Sequence, residues 1–141
     1  MQFNLITVGK CKDKSIIALY DDYIKRLKPF AKFNLYELAH GKGNIDEIKT
    51  KEASSILAKI SKGSFVIALD ERGKHLSTVK LANLIKTKTL DGFSDFNIII
   101  GGAEGLHEDI RQRADFILSL SDLTYPHMLV RVLIAEQLYR I

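Results

Sequence analysis

The sequence lacks most of what would mark a disulfide-stapled, membrane-spanning or nucleotide-hydrolysing protein. Its single cysteine, Cys11, cannot build a disulfide framework, and a lone thiol fits a reducing cytoplasm most simply. No apolar run approaches the ~20 residues that a bilayer requires. Met1–Gly9 lacks the charged start and long apolar centre of a signal peptide. The four histidines, His40, His75, His107 and His127, are scattered, and with one cysteine they offer no zinc-ligand spacing. No Gly-Lys pair is followed by Ser or Thr, which removes a P-loop, and no serine sits in a G-x-S-x-G elbow. A dinucleotide fingerprint fails too. Gly102 and Gly105 match its last two glycines, but Ile100 stands where the first is needed.

What remains is an ordinary globular composition. The chain has 141 residues, 46% of them hydrophobic, enough for one domain over 1–141 with a real core. The formal net charge is +4 and the pI about 9.1, which permits a polyanionic partner such as RNA without requiring one. Two prolines leave most of the chain free for regular structure. Apolar periodicity predicts strands at Gln2–Val8, Lys32–Leu38, Phe65–Leu69, Ile98–Ile100 (with Phe96 before it) and Asp115–Leu120. It predicts helices at Ser15–Lys28, Ile45–Ile60, Ser77 to about Thr89, Glu108–Arg113 and His127–Ile141. Pro29 ends the first helix, and Ser77 suits the N-cap of the third. The alternation of strands with helices implies an α/β domain, a mostly parallel sheet with helices on both faces.

Two stretches carry the functional signal. Ile98–Gly105, I-I-I-G-G-A-E-G, is a strand buried on both faces that runs into glycines, where backbone can approach a ligand closely. Together with the ends of Leu69–Gly73 and Leu120–Tyr125 it suits a pocket built mainly from backbone. Leu69, Leu120 and Leu123 would cover the face of an adenosine-like ligand there. The same glycines also suit plain tight turns, and both readings stand at this point. The final helix is apolar nearly all round, from Met128, Leu129 and Val130 to Leu138, Tyr139 and Ile141. Such a helix needs cover on nearly every side, which points to a symmetric homodimer. It also ends at Ile141 without a glycine cap or a polar run-out, as a truncated sequence would.

The chain resembles the ribosomal large-subunit pseudouridine N3-methyltransferases (the RlmH family) of the SPOUT class. The matching pieces are L-I-T-V-G-K at Leu5–Lys10, Y-I-K-R-L at Tyr23–Leu27, V-I-A-L-D-E-R-G-K at Val66–Lys74 and F-N-I-I-I-G-G-A-E-G-L at Phe96–Leu106. The most specific is L-S-L-S-D-L-T-Y-P-H-M-L-V-R-V-L-I-A-E-Q-L-Y-R at Leu118–Arg140. The resemblance covers essentially the whole chain. It implies a C-terminal trefoil knot, a homodimer with composite active sites, no metal, and S-adenosylmethionine as cofactor. The implied cofactor contacts are Leu69, Gly101, Leu120, Ser121, Asp122, Leu123, Thr124 and Tyr125, with Gly102 and Gly105 shaping the same loop. The implied reaction is methylation of N3 of a pseudouridine in 23S ribosomal RNA of the assembled ribosome. His127, at the start of the last helix, is a candidate base, or a histidine that only satisfies local hydrogen bonds. Arg131 is a candidate for phosphate or uracil carbonyls, or else pairs with Glu104 or another acid; Glu136 is expected to be structural. The family continues past Y-R with a short segment on the substrate side of the site, which this chain does not carry. The alternatives are a non-catalytic, ribosome-binding knotted dimer and a SPOUT enzyme acting on another RNA.

Overall fold

Strands with apolar residues on both faces must be covered on both faces, and the chain meets that demand with one sheet between two helix layers. A computed structural model describes residues 1–101 and 105–141. In chain order the elements are β1 (Gln2–Val8), α1 (Lys14–Leu27), β2 (Lys32–Leu38), α2 (Ile45–Lys59) and β3 (Phe65–His75). They continue as α3 (Thr78–Leu90), β4 (Asp95–Ile100), α4 (Glu108–Arg113), β5 (Phe116–Ser119) and α5 (His127–Arg140). The strands form a sheet in the order β2-β1-β4-β3-β5, and each neighbouring pair is parallel.

The period-2 alternation of each strand assigns its residues to one layer or the other. Phe3 and Leu5, Phe65 and Ile67, and Phe96 and Ile98 face α1, α3 and α5, packing on Tyr20, Leu81, Ile85, Val132 and Ala135. Ile6 and Val8, Val66 and Ala68, and Ile99 face α2 and α4, packing on Ala53, Ile56 and Ile110. A fully buried Ile or Phe contributes about 2 kcal/mol, whereas an N-cap contributes about 1 kcal/mol. Packing therefore places the helices, and the caps set where they begin. Asp13 accepts hydrogen bonds from the Ser15 and Ile16 amides at 2.9 and 3.2 Å. Asn44 and Glu47 form a reciprocal pair at the start of α2. Ser77 caps α3 through the Lys80 amide, as its position predicts.

At the N-terminal end of the sheet, Asn34, Asn4 and Asn97 stand side by side in register on adjacent strands. Asn34 donates to Asn4, Asn4 donates to Asp95 at 2.7 Å, and Asn97 donates to Ser64 at 2.6 Å. Ser61 closes the cluster onto Asp95.

The predicted element limits agree to within a residue or two except at β4, which starts three residues earlier at Asp95, and at β3, which continues beyond Leu69 to His75. β3 pairs with β5 in two registers, shifted between Leu69 and Lys74. The shift leaves Asp70–Gly73 bulged out of the ladder. Gly73 allows this, because a Cβ there would sit 2.5 Å from the Ile117 carbonyl oxygen. Sequence periodicity could not show the continuation, since the bulge breaks the alternation.

Candidate functional site

In a parallel sheet all strands end at the same edge, and the connections that leave it converge. The connections after β4 and β5, with the β3 bulge, enclose a cleft of about 470 Å³, within the range of small-molecule sites. Its walls include Leu69 to Arg72, Gly101, Gly105 and Leu106, and Leu120, Ser121, Leu123, Thr124 and Tyr125. Ile100, Leu118 and Val130 of α5 complete it. The polar loop after β5 is held by its own serines. Ser119 donates to the Ser121 carbonyl at 3.2 Å, and Ser121 Oγ accepts from the Leu123 amide at 3.0 Å.

Gly101 is where the cleft is most tightly built. A Cβ on it would stand 2.7 Å from Leu106 Cδ2 and 3.2 Å from the Gly105 carbonyl oxygen. Gly105 turns the chain with φ +85°, a conformation that L side chains rarely adopt. Gly102, also a predicted site residue, lies outside the described residues, as does Glu104. Asp122 does not line the cleft; its carboxylate is exposed and lies 3.2 Å from His75 Nε2.

The acid in the cleft wall is fixed. The Asp70 side chain is buried and ion-paired with Arg111, and it accepts from the Arg72 amide at 2.8 Å. Burial opposes its ionisation. The Arg72 hydrogen bonds and the positive charges of Arg111 and Arg72 outweigh that and hold the carboxyl below its usual range.

His127 and Arg131 lie beside the cleft, toward β1. His127 Nε2 is 2.9 Å from the Val8 carbonyl oxygen and 3.4 Å from Thr7 Oγ1. A carbonyl can only accept, so Nε2 carries the proton and Nδ1 of the neutral ring keeps a lone pair. Arg131 is 2% exposed. It donates to Glu37 at 2.5 Å and to the Gly9 carbonyl at 2.8 Å. Glu37 also accepts from the Cys11 amide at 2.8 Å. Burial raises the Glu37 pKa, but Arg131 and the Cys11 amide lower it more, and the carboxyl is held below its usual value. Close by, the buried Tyr20 hydroxyl has no partner among the described residues, and burial pushes its pKa upward. The acid that pairs with Arg131 is thus Glu37, ninety-four residues earlier. Nothing in the alternation of β2 distinguishes that glutamate, so sequence reasoning missed it. Arg111 was missed for the same reason.

Among the described residues no helix is long and apolar enough to cross a membrane, and no group of three His, Cys, Asp or Glu could hold a metal ion.

Comparison with known proteins places this geometry. A family model described as predicted SPOUT methyltransferase matches residues 1–141. The chain is 40% identical to a protein of Carboxydothermus hydrogenoformans named ribosomal RNA large subunit methyltransferase H, across 99% of this chain and 92% of that one. It is 41% identical to the protein of the same name from Alkaliphilus oremlandii, with the same coverage. Among solved structures it is similar in fold to the tRNA (m1G37) methyltransferase of Aquifex aeolicus. That likeness has a TM-score of 0.59 at 17% identity and covers 100% of this chain and 70% of that one.

Proposed function

The chain belongs to the SPOUT methyltransferase family, and from that premise we propose that it methylates ribosomal RNA of the large subunit, at N3 of a pseudouridine in 23S rRNA, with S-adenosylmethionine as methyl donor. The observation that carries the reading is a convergence. Leu69, Gly101, Gly105, Leu120, Ser121, Leu123, Thr124 and Tyr125, far apart in sequence, meet around one cleft of small-molecule size. The cofactor would supply an electrophilic sulfonium methyl group. The chain's own part is to bind, orient and shield. Backbone groups at Leu69, Gly101 and Leu120 would read the edge of the adenine, and Leu69, Leu120 and Leu123 would cover its face. A side chain at Gly101 would press on Leu106 and on the Gly105 carbonyl.

N3 of pseudouridine must lose a proton for transfer. His127, which like Arg131 is not among the cleft-lining residues, is the candidate base in this reading. Its Nε2 is committed to the Val8 carbonyl, so Nδ1 is the atom that would accept the proton. Arg131 acts through structure, holding Glu37 and Gly9, and its buried guanidinium does not enter the cleft lining.

The enzyme in this reading is a homodimer. Leu129 and Leu133 lie one turn apart on α5 and are both exposed. Leu133 also edges a second groove of about 310 Å³ with Leu76, Leu120 and Tyr125. A partner seated there would adjoin the cleft and complete its substrate side. The family's trefoil knot would lie where the connections after β3, β4 and β5 meet.

The test is transfer of labelled methyl groups from S-adenosylmethionine to purified ribosomes, followed by nucleoside analysis of the 23S rRNA. One methylated pseudouridine per ribosome is the expected result. No transfer by the folded chain, alone or extended by the family's C-terminal segment, would overturn the reading.

A further inference from the structure

The segment from Gly9 to Lys14, G-K-C-K-D-K, alternates anchored and outward residues. The anchors are Gly9, Cys11 and Asp13. The Gly9 amide donates to the Leu38 carbonyl at 2.7 Å, and the Gly9 carbonyl accepts from Arg131 at 2.8 Å. Cys11 is buried, with its amide on Glu37 at 2.8 Å. Asp13 is tied to the first turn of α1 by two hydrogen bonds. Between the anchors stand Lys10, Lys12 and Lys14, all exposed. None of the three is in a salt bridge among the described residues. The Arg131–Glu37 pair, tying α5 to β2, therefore fixes a segment whose outward side chains are three lysines, Lys10 lying near enough to the Glu37 carboxylate to help lower its pKa.

The loop also has a definite place. It leaves β1, which pairs directly with β4 so that Thr7 lies opposite Ile100. Parallel neighbours are about 4.8 Å apart, and Ile100 and Gly101 line the cleft. The segment thus leaves the same edge of the sheet as the cleft, on its β1–β2 side, where Gly9 and Cys11 are tied to β2.

We infer that Lys10, Lys12 and Lys14 form a preset phosphate-binding patch, on the same edge of the sheet as the cleft, that grips the backbone of the RNA substrate. This deepens the rRNA methyltransferase reading and rests on it. Rigid anchoring matters because each lysine then loses less side-chain and loop freedom on binding. The contact carries no base specificity; it sets register and affinity.

The experiment compares two variants of equal charge change. One replaces Lys10, Lys12 and Lys14 by alanine. The other replaces Lys28, Lys32 and Lys62, exposed lysines at the opposite end of the sheet. Binding to purified assembled ribosomes is measured over a salt series, with methyl-transfer kinetics alongside. In the first variant the slope of log K against log salt should become shallower by about 2, and affinity should fall about 50-fold at ~0.15 M salt. The KM for ribosomes should rise in step, with kcat, melting temperature and S-adenosylmethionine affinity unchanged. The second variant should bind like the unaltered chain. Unchanged binding in the first variant, or equal weakening in both, overturns this inference and leaves the methyltransferase reading intact. An unaltered chain with no salt-dependent binding and no methyl transfer overturns both.

Discussion

The two ends of the sheet are built from similar residues and behave differently. At the N-terminal end Asn4, Asn34, Asn97, Ser61, Ser64 and Asp95 spend their polar groups on one another, and among the described residues Asn97 Oδ1 is the buried side-chain atom there without a partner. At the C-terminal end the serines of the loop after β5 bind their own segment, Asp70 is tied to Arg111, and a cleft of about 470 Å³ stays open between them. A polar cluster is therefore no guide to a site in this chain. The cleft lies where three connections diverge from a parallel sheet and do not fill the space between them. The N-terminal cluster can close because three asparagines fall in register on adjacent strands.

Substitutions at each end should separate these roles, and the largest effect is expected at Arg131. Arg131→Met should strip Glu37 and the Gly9 carbonyl of their partner. Breaking a buried pair costs about 3 kcal/mol, which a urea denaturation midpoint would reveal. A change below about 1 kcal/mol would mean that water replaces the guanidinium readily.

Next comes Gly101→Val. It should lower S-adenosylmethionine affinity more than about 100-fold, equivalent to about 2.7 kcal/mol, by calorimetry. A Cβ there presses on the end of the Leu106 side chain at 2.7 Å and on the Gly105 carbonyl oxygen at 3.2 Å, and valine adds two methyl groups beyond it. Retained binding in a folded variant would place the cofactor elsewhere.

At the opposite end, Asn4→Ala removes both an acceptor for Asn34 and a donor to Asp95. The expected loss is about 2 kcal/mol of stability, with cofactor affinity unchanged. A matching fall in cofactor affinity would show that the two ends are coupled, against the contrast drawn above.

The smallest effect is one of pH. Glu37 has a folded pKa held below its unfolded value. Its stabilising contribution is thus complete above the unfolded value, about 4.3, and is lost as pH falls through the folded one. Melting temperature should decline below about pH 4 less steeply in Glu37→Gln than in the unaltered chain. Identical acid profiles would remove Glu37 as a contributor.

Much of this architecture was legible in the residues. The order of elements, the two-faced sheet and nearly all boundaries follow from periodicities of 2 and 3.6, because short-range apolar spacing is itself a record of which face is buried. Ser77 as a cap and the Ile98–Gly105 strand-to-glycine run were readable for the same local reason. The ligand-site residues came from the resemblance. Most of them meet at the cleft, while Asp122 turns outward to His75. Side-chain direction in an irregular loop has no period to read.

What the sequence by itself determined is the list of elements and the burial of each face, since these depend on neighbours within one or two turns. Tertiary structure alone decided the strand order, the bulge at Asp70–Gly73, the choice of Glu37 for Arg131, and the presentation of three lysines by one anchored loop. Each of these depends on groups brought together from distant parts of the chain. Their pairing energies exist only after the sheet has set the distance between them.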